Sequence, residues 1–396
     1  MSKAREVISL HPAQQAFIDS PALYRGFVGG RGAGKSFIGS FDMILRAQPA
    51  RLYGVYAPTY PMLRDSSWRS FMAMGRQLKY VKSINKSEMR VTLGNGAEVL
   101  FRSVDDPEKA RGPNLSGAWL DECSLMDRDA YSILIACLRE GGEQGWLSAT
   151  FTPRGKQHWT YDVFGAGKPN TALFQSRTVD NPFLPAEFAA TLAEQYPSQF
   201  ARQELGGEFV DLIGGVFKRE WFRIVDAAPE GLHWARYWDL AASMKQSADY
   251  VASCAVALAN DGVLYIRDMI HGRWEWPDQE KLLVQTMLAE PRVIHGIEKA
   301  LHGIAALQAL QRRRELAGIA IRGIDVDRDK LSRALPLSAR AEQGKVALVR
   351  GNWIGAFLDE ATAFSGDGST HDDQIDSAAG GLQMIAGGRS RKIVTW

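Results

Sequence analysis

The sequence predicts an α/β fold in two domains, residues 1–212 and 213–396, and three observations carry that expectation. At 396 residues and 45% hydrophobic content, the chain exceeds what one hydrophobic core supports, so a second domain is needed to bury the rest. In the first half, short apolar runs that end in glycine, Thr-Pro or acidic turns fit a parallel sheet. In the second half, two strands joined by a tight turn are followed by alternating strands and helices.

Composition narrows the chemistry. The formal charge of +2 comes from 47 basic and 45 acidic residues, so attraction to nucleic acid must come from local patches. Such patches are QRRRE (311–315), Lys79, Lys82 and Lys86, and the terminal RSRK; solvated helix faces and a disordered tail are the alternative for each. The 3 cysteines, Cys123, Cys137 and Cys254, form no CxxC pair, which argues against a disulfide framework or a cysteine-built zinc site and for a reducing compartment. No signal core and no run near the roughly 20 apolar residues of a membrane span is present. The expectation is a soluble cytoplasmic protein with no membrane partner.

The first domain opens on HPAQQAF, where Gln14 or Gln15 offers an amide to read adenine, Gln15 being the better fit to solvated helix surface. LYRGFV (23–28) reads as a strand, GGRGAGKS (29–36) fits G-x-x-x-x-G-K-[ST], and SFIGSFDMILRAQ reads as a helix stopping before Pro49. Strand, loop and helix stand in the order a phosphate-binding loop requires. Amides of Gly29, Gly30, Arg31, Gly32, Ala33 and Gly34 converge on phosphate, the Lys35 ammonium bridges the β and γ phosphates, and the Ser36 hydroxyl reaches magnesium.

RLYGVYAPTY (51–60) and WLSATFTP (146–153) each pair an apolar run with a Thr-Pro turn, and RVTLGNGAEVLF (90–101) is a hairpin turning at Asn95-Gly96. Thr59, Thr152 and Arg154 at these strand ends face the nucleotide or simply form turns. LSGAWLDE (115–122) is a short apolar run ending in two acids. Asp121 suits the magnesium shell and Glu122 the polarising of water; capping of a helix near Ser124 is the alternative. The adjacent glutamate marks an ATP-binding P-loop ATPase of the additional-strand (ASCE) type. Arg31 and Arg111 are candidates to reach the γ phosphate. From about residue 186, EFAATLAEQYPSQFARQELGGEF reads as a helical linker closing the domain, with the boundary near residue 213.

In the second domain, WARYWDLAAS is a strand interrupted by Asp239, and DYVASCAVALANDGVLYIRDMI is two strands around an Asn-Asp-Gly turn. A helix (278–290), the strand VIHGIEKA with Glu298, a helix, the strand IAIRGIDV, a helix and finally HDDQIDSAAGGLQMIAG follow. That order is what an RNase H-like domain shows. Acids inside apolar strands are costly unless a metal or partner compensates them. Asp239, Glu298 and the HDDQID run are thus candidates to hold two magnesium or manganese ions about 4 Å apart for phosphodiester hydrolysis. Asp373 and Asp376 share a helix face, Asp372 points elsewhere, and His371 and Asp249 are weaker candidates; helix capping is the competing role for Asp372 and Asp373.

Taken together, GGRGAGKS, YAPTY, ARGPNLSGAWLDE and TPRG, then YWDLA, ADY, GIEKA, DKLSRALPLSARAEQGKV and HDDQID, in this order, resemble the large terminase subunit of tailed bacteriophages over nearly the whole chain. The resemblance implies a motor that hydrolyses ATP to package double-stranded DNA, and a nuclease that cuts concatemers. It implies Lys35 and Ser36 as phosphate and metal contacts, Glu122 as catalytic glutamate and Arg111 as a finger reaching a neighbouring subunit's ATP. Thr150 and Thr152 of SATFTP fall in the coupling motif, and Asp239, Glu298 and Asp373 in the nuclease triad, with Asp372 or Asp376 as alternatives for the third place. It further implies a homo-oligomeric ring on the prohead, a portal protein and a small terminase subunit as partners, and a location in the infected host's cytoplasm, transiently docked on the portal. The competing readings are a helicase or repair ATPase fused to a resolvase-like nuclease, and a DNA-binding scaffold with a structural nucleotide.

Overall fold

A computed structural model describes residues 8–185, 187–210, 215–240, 250–299, 301–325, 330–366 and 371–387. It divides into two compact units, Met1–Ala193 with Gln199–Asp211, and Glu194–Ser198 with Leu212–Trp396. The expected boundary between residues 212 and 213 lies outside the described residues, as do Asp249 and RSRK. Among the described residues no helix is long and apolar enough to cross a membrane.

The first unit is built on a sheet of eight strands, β1 (Tyr24–Gly29), β2 (Leu52–Ala57), β3 (Val81–Asn85), β4 (Arg90–Leu93), β5 (Glu98–Ser103), β6 (Gly117–Asp121), β7 (Trp146–Phe151) and β8 (Thr171–Ser176). Their order is β3-β4-β5-β2-β6-β7-β1-β8. β6 and β7 are buried at every position, as parallel strands covered on both faces must be. The short run before Asp121 is therefore a complete strand, and β7 stands between the loop-bearing β1 and the acid-bearing β6. That inserted strand is the additional strand expected from the Asp-Glu pair. The Asn95-Gly96 hairpin joins β4 to β5 antiparallel, with Gly96 at φ +86, a left-handed turn that glycine adopts without strain. The closing stretch differs from expectation: it is two short helices, Phe188–Ala193 and Ser198–Glu204, because Pro197 disfavours the helical region for Tyr196.

The second unit carries β9 (Arg223–Val225), β10 (Trp234–Asp239), β11 (Val251–Leu258), β12 (Leu264–Gly272), β13 (Ile294–Glu298), β14 (Ile321–Ile324) and β15 (Val346–Val349), ordered β14-β13-β10-β11-β12-β15-β9. β10, β11 and β12 form the antiparallel meander, while β13 and β14 add in parallel on the other side of β10. β9, β15 and the helix Ile354–Ala363 have no counterpart in the sequence reading, the two strands being too short to show a period. The helix Asp373–Gly387 lies against β10 and β11 through a glycine pair. A Cβ on Gly380 would fall 2.5 Å from the Tyr237 ring, and one on Gly381 2.8 Å from Val256, so only glycine lets this helix approach the sheet so closely. The same approach brings the acids of its first turn over the end of β10.

Candidate active sites

The glycine loop turns from β1 into the helix Lys35–Arg46, with Gly32 and Gly34 at φ +76 and +80. A Cβ on Gly34 would sit 2.6 Å from Gln14 Nε2, so the Gln14 amide lies directly on the loop. Its Oε1 accepts a 3.3 Å hydrogen bond from the His11 amide, whereas Gln15 is exposed and donates to Asp19. The Lys35 ammonium is buried; it donates to the carbonyls of Gly29 and Gly30 and, at 2.9 Å, to Thr152 Oγ1, and it lies 3.6 Å from Glu122. A cation so enclosed by oxygens is aimed into the loop's mouth, where phosphate would replace these partners.

Asp121 ends β6 with 1% exposure and is surrounded by hydroxyls. Ser36 Oγ donates to it at 3.1 Å, Thr150 Oγ1 at 2.8 Å and Ser67 Oγ at 2.8 Å. Burial pushes its carboxyl above the usual range, and those three hydrogen bonds with the Lys35 charge pull against the rise. Glu122, held at φ 51 and ψ 42, is turned out of the strand; burial raises its carboxyl as well, opposed by Lys35 and reinforced by Asp121. The left-handed backbone is a sparsely populated conformation for glutamate that the surrounding structure must hold. Thr150 on β7 and Thr152 just beyond its end thus tie Asp121 and Lys35 to one strand and its exit. Ser66 and Ser67 were missed from the sequence, since they belong to no local motif and reach Asp121 only when Leu63–Trp68 folds over β6.

Other candidates lie farther out. Arg31 donates Nε to Glu204 at 2.7 Å, and its amide bonds the Glu204 carbonyl, so the loop is tied to the helix Ser198–Glu204. Arg111 is exposed and paired with Glu108 at 2.6 Å. Thr59 is exposed and caps the turn at Met62, which is the turn-forming alternative, and Arg154 is exposed. Lys82 is exposed on β3, an edge strand of the sheet, and Lys79 and Lys86 are exposed on either side of it, while Arg313 of the QRRRE cluster is paired with Glu280 and Glu315.

The second unit gathers carboxylates. The parallel register of β10 and β13 runs to Trp238↔Ile297, so Asp239 and Glu298 stand next to each other as the last residues of the two strands. Burial holds the Asp239 carboxyl far above the ordinary range, and the charges of Glu298, Asp376 and Asp373 add to the rise. Asp376 is pushed up to about 6, mainly by burial. Asp372 is buried, its carbonyl accepts the Asp376 amide, and its carboxylate pairs with Lys330 at 2.6 Å. His371 is exposed, its ring edge-on to Tyr250. Tyr237 Oη donates to Glu298 at 3.0 Å.

Among the described residues no three His, Cys, Asp or Glu side chains converge tightly enough to grip an ion as they stand. Two cations stand among them: Arg333 reaches Glu298 at 3.4 Å and Asp376 at 3.1 Å, and Lys330 reaches Asp376 at 3.5 Å. The donor set nevertheless suits a hard divalent ion: every candidate ligand is a carboxylate oxygen, and Asp376 Oδ1 is buried with no hydrogen-bond partner among the described residues. Asp239, Glu298, Asp373 and Asp376 would hold it. In the first unit, Ser36 Oγ and Asp121 are equally hard oxygen donors for magnesium.

Residues 27–224 match the family model for the N-terminal domain of the terminase large subunit, T4likevirus-type, and residues 236–384 match the model for the terminase RNaseH-like domain. The PBSX phage terminase large subunit of Bacillus subtilis (strain 168) is 25% identical over 212 residues, 47% of this chain and 49% of that protein. The match thus spans about half the length of the curated relative. A structure of the large terminase from the thermophilic bacteriophage D6E superposes with a TM-score of 0.66 at 17% identity, covering 96% of this chain and 100% of that one. The same terminase in complex with ADP gives 0.65 at 16% identity, covering 95% and 100%. At such identity the likeness establishes the fold.

Proposed function

The chain belongs to the terminase large subunit family, and from that premise we propose that it hydrolyses ATP to drive double-stranded viral DNA into proheads and cuts concatemeric DNA in its RNase H-like domain. The observation that carries the reading is the order β6-β7-β1, which sets Ser36 Oγ 3.1 Å from Asp121 with Lys35 and Glu122 beside them. Loop amides and Lys35 take the β and γ phosphates, Ser36 and Asp121 hold magnesium, and Glu122 orients and polarises the attacking water. Gln14, whose amide lies on the loop, contacts the nucleotide. Thr150 and Thr152 sense the state of Asp121 and Lys35 through their hydrogen bonds and pass it along β7. Arg111, exposed on the surface, serves a neighbouring subunit's ATP in a homo-oligomeric ring.

In the nuclease domain, Asp239, Glu298 and Asp373 are the main ligands, with Asp376 beside them and Asp372 directed at Lys330. When bound, two magnesium or manganese ions supply an activated water and steady the leaving oxygen of the phosphodiester. The exposed lysines Lys79, Lys82 and Lys86, on and beside β3, contact DNA phosphates without reading sequence. The portal protein and the small terminase subunit are the partners this role requires, and the host cytoplasm, with transient docking on the portal, is its place. The test is ATP-dependent uptake of duplex DNA into empty proheads, scored by nuclease protection, for wild type, Lys35→Ala and Glu122→Gln. Uptake should be lost in both variants; undiminished uptake, or unwinding of forked DNA by the wild type, would overturn the reading.

A further inference from the structure

The carboxylate cluster carries its own counter-charge. The helix Lys330–Glu342 presents Lys330 and Arg333 three residues apart, on one face, and both point into the acids. Arg333 has a side chain only 7% exposed, and it spans Glu298, from the end of β13, and Asp376, from the first turn of Asp373–Gly387. Lys330 spans Asp372 and Asp376 of that same segment. Carboxylates crowded in this way repel one another, and unpaired buried charge is strongly unfavourable. Two monovalent cations neutralise part of the cluster, and they do so through the oxygens a divalent ion would need.

Resting on the reading of these acids as divalent-ion ligands, we propose that Arg333 and Lys330 are resident counter-cations that hold the nuclease carboxylates together before metal loading and set divalent-ion affinity by competing for Glu298 and Asp376. Arg333 Nε is buried with no hydrogen-bond partner among the described residues, so the guanidinium is held chiefly by the two acids and can be displaced from them. A divalent ion brings two charges to oxygens that Arg333 meets with one. The ion therefore wins, at a weakened affinity.

The experiment is calorimetric titration of the full chain with Mn2+ and, to exclude turnover, with Ca2+, alongside thermal melts in chelator, for wild type, Arg333→Gln, Arg333→Lys and Lys330→Gln. Removing the resident charge should tighten ion binding in Arg333→Gln by about tenfold or more, as expected for a like charge lost within a few ångströms of the ion, and lower the melting point of the metal-free protein. Arg333→Lys, which keeps the charge, should bind close to wild type. Lys330→Gln, at the more exposed site, should shift in the same direction by less. Equal or weaker ion binding in both glutamine variants, with the wild type binding normally, would overturn the proposal and leave a structural brace. Failure of the wild type to bind either ion would overturn the ligand reading and this inference with it.

Discussion

Replacing Thr150 with valine removes one hydroxyl from a site that is 0% exposed and leaves its volume nearly unchanged, so the loss is polar and local. The 2.8 Å donation to Asp121, shared at 3.4 Å with the Leu120 carbonyl, disappears together with the 2.8 Å acceptance from Trp119 Nε1. A hydrogen bond to a charged group contributes about 1.5–3 kcal/mol, and a donor stranded in the core costs about 1–3 kcal/mol. Ser67 and Ser36 still hold Asp121, so the lower half of that range applies, giving about 3 kcal/mol in sum. In a unit of this size that lowers the melting temperature by about 6–12 °C. Losing Thr150 also removes one of the bonds that hold down the buried Asp121 carboxyl, so magnesium-ATP binding should weaken by about tenfold. Scanning calorimetry and nucleotide titration of Thr150→Val beside Thr150→Ser provide the test. The serine variant keeps the hydroxyl and should lose only about 1 kcal/mol for its missing methyl. If valine melts and binds like wild type, or serine falls as far as valine, the hydrogen-bond account of this strand is wrong.

Asp239→Asn should abolish manganese-dependent plasmid cleavage while raising the melting temperature in chelator, because it removes a charge from a crowded cluster; a lower melting temperature would mean misfolding and leave the loss unexplained by chemistry. Mixing Arg111→Ala with Lys35→Ala protein should restore ATP hydrolysis if Arg111 acts on a neighbour, and no rescue in proven mixed assemblies would refute the trans role. Glu360 accepts the amides of Gln374 and Ile375 and the Gln374 side chain at the start of the acid-bearing helix, and burial pushes its carboxyl up to about 7. A raised acid means the folded state retains its proton longer than the unfolded state, so this group's contribution to stability falls as pH rises from the ordinary glutamate range to about 7 and then levels off. Urea midpoints of Glu360→Gln from pH 5 to 8 should show a shallower fall than wild type; parallel profiles would refute that titration.

What the sequence by itself determined is what neighbouring residues encode. The loop at residues 29–36 is legible because its glycines, Lys35 and Ser36 act through backbone geometry within one turn, and the Asn95-Gly96 hairpin and the break before Pro49 are legible for the same reason. Acids at Asp239 and Glu298 stood out because a charge inside an apolar strand needs a compensating partner. Tertiary structure alone decided which partners those charges met. Ser67 and Thr150 reach Asp121 from segments 54 and 29 residues away, Glu204 meets Arg31 across 173 residues, and Arg333 reaches Glu298 from 35 residues on. No local period announces such pairs, since they depend on strand order and on how closely a helix can approach a sheet. The Gly380-Gly381 pair shows the link between the two levels: the glycines are plain in the sequence, but only the rings and branches facing them in the fold explain why nothing larger fits.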